Sequence, residues 1–228
     1  MSVPLFWLTQ NSSDLPDDEN WLSGGERDIL AGLRFPKRRN DWLLGRWTAK
    51  RAICAYQSRK DAILSSLEIR AAADGAPEVF CDGEAGGISL SISHSEDQGF
   101  CAVSLPGCSI GCDLERMVAH EDPFTEDYFT PEEIAFCKNA PAENALIVNL
   151  VWSAKESMLK ALRQGLRRDT RSVRIHPDLR GPEGSWNTWT GLCLESSRNF
   201  WGWWRSCNGY IYTLASDRLT PPPEQLSV

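Results

Sequence analysis

The chain has 228 residues, of which 42% are hydrophobic and 24% charged, and this composition excludes a disordered or fibrous protein. Its formal net charge of −7 argues against nucleic-acid binding by bulk electrostatics. The N-terminus lacks a signal-peptide pattern and no apolar run reaches the ~20 residues of a membrane span, so we expect a cytoplasmic protein without nucleic-acid or membrane partners.

The first part of the chain predicts one strand and two helices. The strand covers residues 5–8, the first helix begins near Gly25, and the longest helical pattern covers residues 35–56. Arg39, Arg46 and Lys50 share one face of the longer helix, because they are seven and four residues apart. Three cations without an acidic partner repel one another, so this face indicates either an anion site or a solvated basic surface.

Five short β-patterns follow, at residues 65–70, 78–81, 86–95, 100–105 and 110–115. A turn with Asp-Gly and Pro, Ala73–Pro77, separates the first two. The last three are closely spaced, which predicts an antiparallel meander. The eight cysteines form no C-x-x-C pair, so we expect buried thiols rather than a zinc site or disulfides.

The C-terminal part predicts two more helices and further strands. Thr130 caps the first helix, and the second covers residues 143–166, with Pro141 before it and Gly165 as its C-terminal cap. Strands are expected at residues 173–175, 192–195 and 210–215, an aromatic cover over a sheet at 200–204, and a flexible tail at 219–228.

These patterns predict an α+β fold of two similar halves related by a pseudo-twofold axis, each a small, mostly antiparallel sheet with a long packed helix. The expected boundaries are 1–108 for the N-terminal half and 109–218 for the C-terminal half. No internal repeat proves this duplication.

Two acidic residues on a predicted strand suggest a metal site. Asp113 and Glu115 are two residues apart, so both carboxylates project from one face. They repel each other unless a cation lies between them, and Mg²⁺ prefers such oxygen ligands. An exposed strand face that carries two acids without a metal is the alternative.

The segment Val151–Lys160 predicts an amphipathic helix with a functional stripe. Trp152, Glu156 and Lys160 recur at steps of four residues, and Lys155 lies beside them. A carboxylate between an aromatic ring and cations suits a metal next to phosphates. The alternative is an ordinary surface pair between Glu156 and Lys160.

Together, Ile110-Gly-Cys-Asp113 and Trp152-Ser-Ala-Lys-Glu-Ser-Met-Leu-Lys160 resemble the two-part signature of the 4′-phosphopantetheinyl transferases. That signature is (V/I)-G-x-D followed by (F/W)-(S/C/T)-x-K-E-(S/A)-x-x-K, and every specified residue is present. Three supporting segments agree in order: Arg46–Lys50, Ser91–Ser95 and Phe129–Glu133. The length resembles the longer, monomeric, two-halved type in this family.

The resemblance implies transfer of the phosphopantetheine arm of coenzyme A to a serine of an acyl or peptidyl carrier protein, with release of 3′,5′-ADP. It implies that Asp113, Glu115 and Glu156 hold Mg²⁺, with Mn²⁺ as an alternative. The resemblance also implies contacts of the pyrophosphate with Lys160, His94 and Ser93, and more weakly with Lys155. It implies contacts of the 3′-phosphate with Arg39, Arg46 and Lys50. The adenine is expected to lie against Ala73–Pro77, including Asp74, Gly75 and Pro77.

The expected catalytic residues are Glu156, Lys160 and His94. Glu156 is the favoured base for the serine hydroxyl, although a bound cation lowers the pKa of a carboxylate; Glu133 or a metal-bound water is the alternative. Ala76 stands where many relatives have a lysine, which removes one ligand contact.

A carrier-docking surface is expected around three apolar residues flanked by three arginines: Met117, Phe124, Phe129, Arg163, Arg167 and Arg168. Two other functions use the same acids. One is a magnesium phosphohydrolase acting on a nucleotide-type substrate, and the other is an inactive scaffold that binds coenzyme A or a carrier.

Overall fold

A computed structural model describes residues 2–59, 63–139, 144–182 and 184–228. Pro141 and Glu143, the predicted boundary between two helices, lie outside these residues. The described part combines α-helices with antiparallel sheets, which confirms the predicted α+β class. No helix in the described ranges has the length and apolar character needed to cross a membrane.

The N-terminal half is built on a sheet and its packed helix. In chain order its elements are β1 (Leu5–Asn11), α1 (Gly24–Gly32), α2 (Pro36–Tyr56), β2 (Leu67–Ala71), β3 (Pro77–Cys81), β4 (Glu84–Ala85), β5 (Ser89–Ser95) and β6 (Gln98–Ser104). β1, β6 and β5 pair in that order, while β2, β3 and β4 form a separate small sheet. Ala49 and Ile53 of α2 share a buried core with Leu8 of β1.

The C-terminal half repeats this plan with a larger sheet. Its elements are β7 (Ile110–Arg116), α3 (Asp122–Tyr128), α4 (Pro131–Lys138), α5 (Asn144–Ala161), β8 (Val173–Pro177), β9 (Asn187–Cys193), β10 (Arg198–Cys207) and β11 (Tyr210–Ser216), followed by β12 (Glu224–Gln225). The sheet order is β7-β11-β10-β9-β8, and all its pairings are antiparallel. The predicted boundary at residue 108 falls between β6 and β7.

A glycine allows α5 to lie directly against β7. A β-carbon at Gly111 would lie 1.8 Å from the backbone oxygen of Ser157, so only glycine permits this approach. The apolar stripe of α5, including Val151 and Met158, is fully buried against the sheet. The close packing holds the side chains of β7 and α5 in a fixed relation.

The predicted three-stranded meander is wrong at its third strand. β5 and β6 form a hairpin, but β7 pairs with β11 in the other sheet, where Asp113 lies opposite Thr213. Side chains join β5 to β7 instead of a backbone ladder: the backbone N–H of Cys112 donates to Ser91 Oγ at 2.9 Å. Close spacing along the chain therefore does not reveal where the two sheets separate.

Four other predictions need correction. The aromatic run 200–204 lies within strand β10, where Phe200, Gly202 and Trp204 alternate inward. Helix α5 ends at Ala161, before Gly165. No helix was predicted between the strand ending at residue 115 and Thr130, but this segment contains α3. The predicted flexible tail contains β12, which pairs in parallel with β1.

Candidate metal and anion site

β7 and α5 bring three carboxylates together. Asp113 and Glu115 lie on the face of β7 that α5 covers, and Glu156 projects from α5. One oxygen from each side chain can be chosen so that all three lie within 4.8 Å of one another. This spacing suits a single cation with three oxygen ligands.

Asp113 carries an oxygen that no described residue satisfies. Its Oδ1 accepts hydrogen bonds from Lys160 Nζ at 2.7 Å and from Ser93 Oγ at 2.8 Å. Its Oδ2 is buried and has no hydrogen-bond partner in the described part of the chain. Because a buried carboxylate oxygen without a partner is costly, this atom indicates a position for a bound cation.

The environment of Glu115 and Glu156 disfavours the ionised form of both carboxyl groups. Burial, followed by the charge of Asp113, raises the pKa of Glu115 to about 7, while a hydrogen bond from Trp152 Nε1 at 2.9 Å opposes the shift. Burial and then Asp113 raise the pKa of Glu156 to about 8. A divalent cation would reverse both effects, since it stabilises the ionised forms.

Lys160 joins the acids to the rest of the site. Its ammonium group contacts Asp113, donates to Ser93 Oγ at 3.1 Å and lies 3.9 Å from Glu156. Burial disfavours its charge, but Asp113 and Glu156 together outweigh burial and raise the pKa of Lys160. Lys160 is therefore a permanent cation beside the carboxylates.

A cleft of ≈ 700 Å³ begins at Lys160 and runs between the two halves. Its walls are the turn 74–77, part of β5, the turn 106–110 and the segment 160–167. Asp74, Gly75 and Pro77, the residues expected near an adenine, all line this cleft. The predicted nucleotide turn and Lys160, which contacts Asp113 of the acidic cluster, thus line the same cleft.

Ser93 and His94 lie at the end of β5 next to the acids. Ser93 is buried and contacts both Asp113 and Lys160, so it positions those two groups. His94 lies among the charges of Asp41 and Lys160, and burial of part of its ring lowers its pKa. Its imidazole remains partly exposed and open to a ligand.

The predicted basic face of α2 is only partly present. Arg39 is paired with Glu19, and Arg46 stacks on the ring of Trp42. Lys50 does not belong to this face, because it is fully buried. None of these three cations lines the cleft described above.

Lys50 and Lys155 correct the prediction that both contact a ligand phosphate. The ammonium of Lys50 lies 2.5 Å from Glu26 and that of Lys155 lies 2.7 Å from Glu133, in pairs that are almost entirely buried. Each lysine also donates hydrogen bonds to two backbone carbonyl groups. Both lysines therefore stabilise the fold.

Glu133 is also excluded as a base by its surroundings. Its carboxylate accepts hydrogen bonds from the backbone N–H groups of Thr130 at 2.8 Å and Ile175 at 2.7 Å, besides the ion pair with Lys155. This carboxylate caps α4 and is 2% exposed. A group so fully occupied cannot receive a proton from an incoming hydroxyl.

The expected docking surface is also altered. Phe129 is 1% exposed and belongs to the core, while Arg168 pairs with Glu195 and Arg163 with Asp74. Met117 is exposed. The sequence alone could not separate core aromatics from surface ones, because Phe124 and Phe129 lie only five residues apart in the same segment.

Sequence reasoning missed the structural role of the serines on β5. Ser91 and Ser93 are buried and bridge to β7 through their hydroxyl groups. Their alternation with Leu90 and Ile92 indicates that they share a face. That alternation was the available signal, but it does not say whether the serine face is solvated or covered.

A comparison with known protein families matches the part of the chain that contains the candidate metal site. Residues 109–214 match the family model of the ACPS type, the 4′-phosphopantetheinyl transferase superfamily. The match covers a little under half of the chain and includes all three acids and Lys160. The C-terminal half is therefore similar to phosphopantetheinyl transferases where the candidate metal site lies.

The solved structure of Thermotoga maritima holo-acyl-carrier-protein synthase is similar to the chain at 18% sequence identity, with a TM-score of 0.38. This similarity covers 57% of the present chain and 76% of that chain. No curated protein matches the sequence significantly.

Proposed function

We propose that this protein transfers the 4′-phosphopantetheine arm of coenzyme A to a serine of an acyl or peptidyl carrier protein, with Mg²⁺ and with release of 3′,5′-ADP. The observation that carries the proposal is the cluster of Asp113, Glu115 and Glu156 beside a cleft that begins at Lys160. The family match over residues 109–214 supports the same reaction class. The enzyme would be of the longer, monomeric, two-halved type.

The donor set fits a hard divalent cation. Three carboxylates supply only oxygen ligands, and the buried Oδ2 of Asp113 is left without a partner in the described residues. Mg²⁺ is the first choice and Mn²⁺ the alternative, because both accept carboxylate oxygens. When bound, the ion would offset charge on the diphosphate of coenzyme A.

Lys160 and His94 would hold the diphosphate oxygens beside the acids. Lys160 remains protonated, since Asp113 keeps its charge favourable. His94 is exposed at the end of β5 and can turn a ring N–H toward the same oxygens. Ser93 would fix the positions of Asp113 and Lys160 through its hydroxyl group.

Glu156 would take the proton of the carrier serine. Burial and the neighbouring charge of Asp113 raise the pKa of Glu156 and a bound cation would lower it, so the assignment rests on the position of Glu156 in the carboxylate cluster. Its side chain is 16% exposed, enough for an incoming hydroxyl to reach it. With Glu133 occupied in the fold, Glu156 is the remaining carboxylate candidate.

The nucleotide would lie in the cleft between the halves. Asp74, Gly75 and Pro77 line its wall and would contact the adenine ring. Arg39 and Arg46 of α2 do not line the cleft, so they would contact a 3′-phosphate that extends beyond it, with Arg39 exchanging its pairing with Glu19 for the ligand. Lys50 and Lys155 have no place in this assignment.

Incubation of the protein with coenzyme A, Mg²⁺ and an apo carrier tests the proposal by intact mass. Transfer adds one phosphopantetheine to the carrier and releases an equal amount of 3′,5′-ADP. A carrier with its acceptor serine replaced by alanine must stay unmodified. Release of inorganic phosphate without carrier modification would instead indicate a phosphohydrolase, and binding of coenzyme A without any product would indicate a scaffold.

A further inference from the structure

The chain folds back over the cleft immediately after α5. Arg163 adopts φ 58°, a left-handed conformation that is uncommon outside glycine, and Gly165 adopts φ 51°. These two residues turn the backbone so that 165–167 join the cleft wall. The segment thus reaches the nucleotide turn from the C-terminal half.

Arg163 neutralises the acids of the opposite wall. Its guanidinium donates to Asp74 at 2.6 and 3.1 Å and to Glu78 at 2.9 Å. The hydrogen bonds from Arg163 are the main reason why the pKa of Asp74 falls to about 2, so this carboxylate is ionised at neutral pH and pairs with Arg163. An anionic ligand therefore does not meet two free negative charges there.

Arg167 is different from the other cations of the cleft. Lys160 is paired with Asp113, and Arg163 with Asp74, whereas Arg167 has no carboxylate partner among the described residues. One guanidinium nitrogen donates to the backbone oxygen of Arg163 at 3.1 Å, which points the group into the cleft. Another lies 3.3 Å from the position that a β-carbon would take on Gly75.

We propose that Arg167 binds a phosphate group of the nucleotide ligand in this cleft, and that Arg163 positions it. This inference rests on the proposed function for the identity of the ligand as coenzyme A. The left-handed backbone at residue 163 turns its carbonyl toward Arg167, while its side chain removes the competing acids. The absence of a side chain at Gly75 leaves room for the guanidinium beside the ligand.

Calorimetric titration without metal tests the inference with wild type, Arg167→Gln and Arg167→Lys. The ligands are coenzyme A, 3′-dephospho-coenzyme A, 3′,5′-ADP and inorganic pyrophosphate. Arg180→Gln is the matched control, because Arg180 is exposed, is paired with Asp178 and does not line the cleft. We expect Arg167→Gln to weaken coenzyme A binding about tenfold, the control to change it less than about twofold, and Arg167→Lys to fall between.

The four ligands locate the phosphate and separate this inference from the proposed function. A loss for coenzyme A and 3′,5′-ADP that spares the 3′-dephospho form assigns Arg167 to the 3′-phosphate. An equal loss for coenzyme A and its 3′-dephospho form assigns it to the diphosphate. Equal binding by Arg167→Gln and the control overturns the inference and leaves transfer untouched. Failure of wild type to bind any of the four overturns it as well. Normal binding without carrier modification overturns only the transfer reaction.

Discussion

The two halves of the molecule share one framework, but the clustered carboxylates of Asp113, Glu115 and Glu156 all lie in the C-terminal half. Helix α2 contains Trp47-Thr-Ala-Lys50 and helix α5 contains Trp152-Ser-Ala-Lys155. In each half the lysine is buried and paired with an acid, Glu26 or Glu133, in the first turn of the preceding short helix. This repeated pattern is the internal repeat that the sequence reading did not find.

The capping geometry of the two halves also agrees. Ser23 and Thr130 each cap a helix, and the acid three residues later returns to the backbone of its cap. The second oxygen of that acid accepts the N–H of an isoleucine in the next strand, Ile69 or Ile175. The same set of buried contacts therefore fixes helix to sheet twice.

The halves differ at the next positions of the repeated helix. Arg51 follows Lys50, whereas Glu156 follows Lys155, and Ala55 stands where the other helix has Lys160. Strand β1, which packs on α2, has the sequence LFWLTQN and carries no acid. The comparison teaches that the Trp-(Thr/Ser)-Ala-Lys part is structural, while the residues after it distinguish the half that holds the candidate metal site.

The largest effect should come from removing one acid of the C-terminal half. Asp113→Asn keeps the shape but removes the charge and the free oxygen, so transfer to the carrier should fall about 10⁴-fold. Arg51→Gln, at the position of the N-terminal half that corresponds to Glu156, should keep the rate within about twofold. A single-turnover assay with saturating coenzyme A measures both, and equal losses would remove the functional difference between the halves.

The buried ion pairs should be equivalent in the two halves. Lys50→Met and Lys155→Met each leave a buried glutamate without its partner, so each should lower the free energy of unfolding by about 3–5 kcal/mol. Chemical denaturation measures this loss. Folded Lys155→Met should bind coenzyme A as wild type does, because Lys155 serves packing; a normal stability with lost binding would show instead that Lys155 contacts the ligand.

The largest effect of pH on stability should arise from two acids of the C-terminal half, Glu115 and Glu156. The native carboxyls of Glu115 and Glu156 titrate at about 7 and about 8, whereas unfolded glutamates titrate near ~4.3, so the native state holds more protons between these values. Without a divalent ion, stability should therefore fall by roughly 1–3 kcal/mol as pH rises from ~4.3 to about 8. Urea titrations across this range measure the slope.

Glu156→Gln supplies the control for this slope, because it removes one of the two titrating groups and should flatten the curve. Addition of Mg²⁺ to wild type should restore stability at pH 8, since the ion binds the ionised carboxylates of the native state. Stability that rises with pH in the metal-free protein would mean that these acids are not held close together.

The grouping of the three acids was more predictable from sequence than the structure that supports them. Asp113 and Glu115 were expected on one strand face and Glu156 on one helix stripe, and the structure brings the three together. Such local periodicity identifies which side chains share a face. It does not identify what covers that face.

The burial of Lys50 and Lys155 depends on partners that lie far away in sequence. Glu26 lies in α1, whereas its partner Lys50 lies in α2. In the same way, Glu133 lies in α4 and its partner Lys155 in α5. Helical spacing alone therefore led to the wrong prediction that these two core lysines contact a phosphate of the ligand. The change of sheet at β7 was hidden for the same reason, since its partner β11 lies near the end of the chain.

The central claim is that Asp113, Glu115 and Glu156 hold one divalent cation. Crystals grown with Mn²⁺ and measured at an X-ray energy where manganese scatters anomalously test it most directly. We predict a single anomalous peak within about 2.0–2.4 Å of an oxygen from each of the three side chains, and its loss in Asp113→Asn. Saturating Mn²⁺ with no peak at these residues, or a peak that persists unchanged in Asp113→Asn, would contradict the claim.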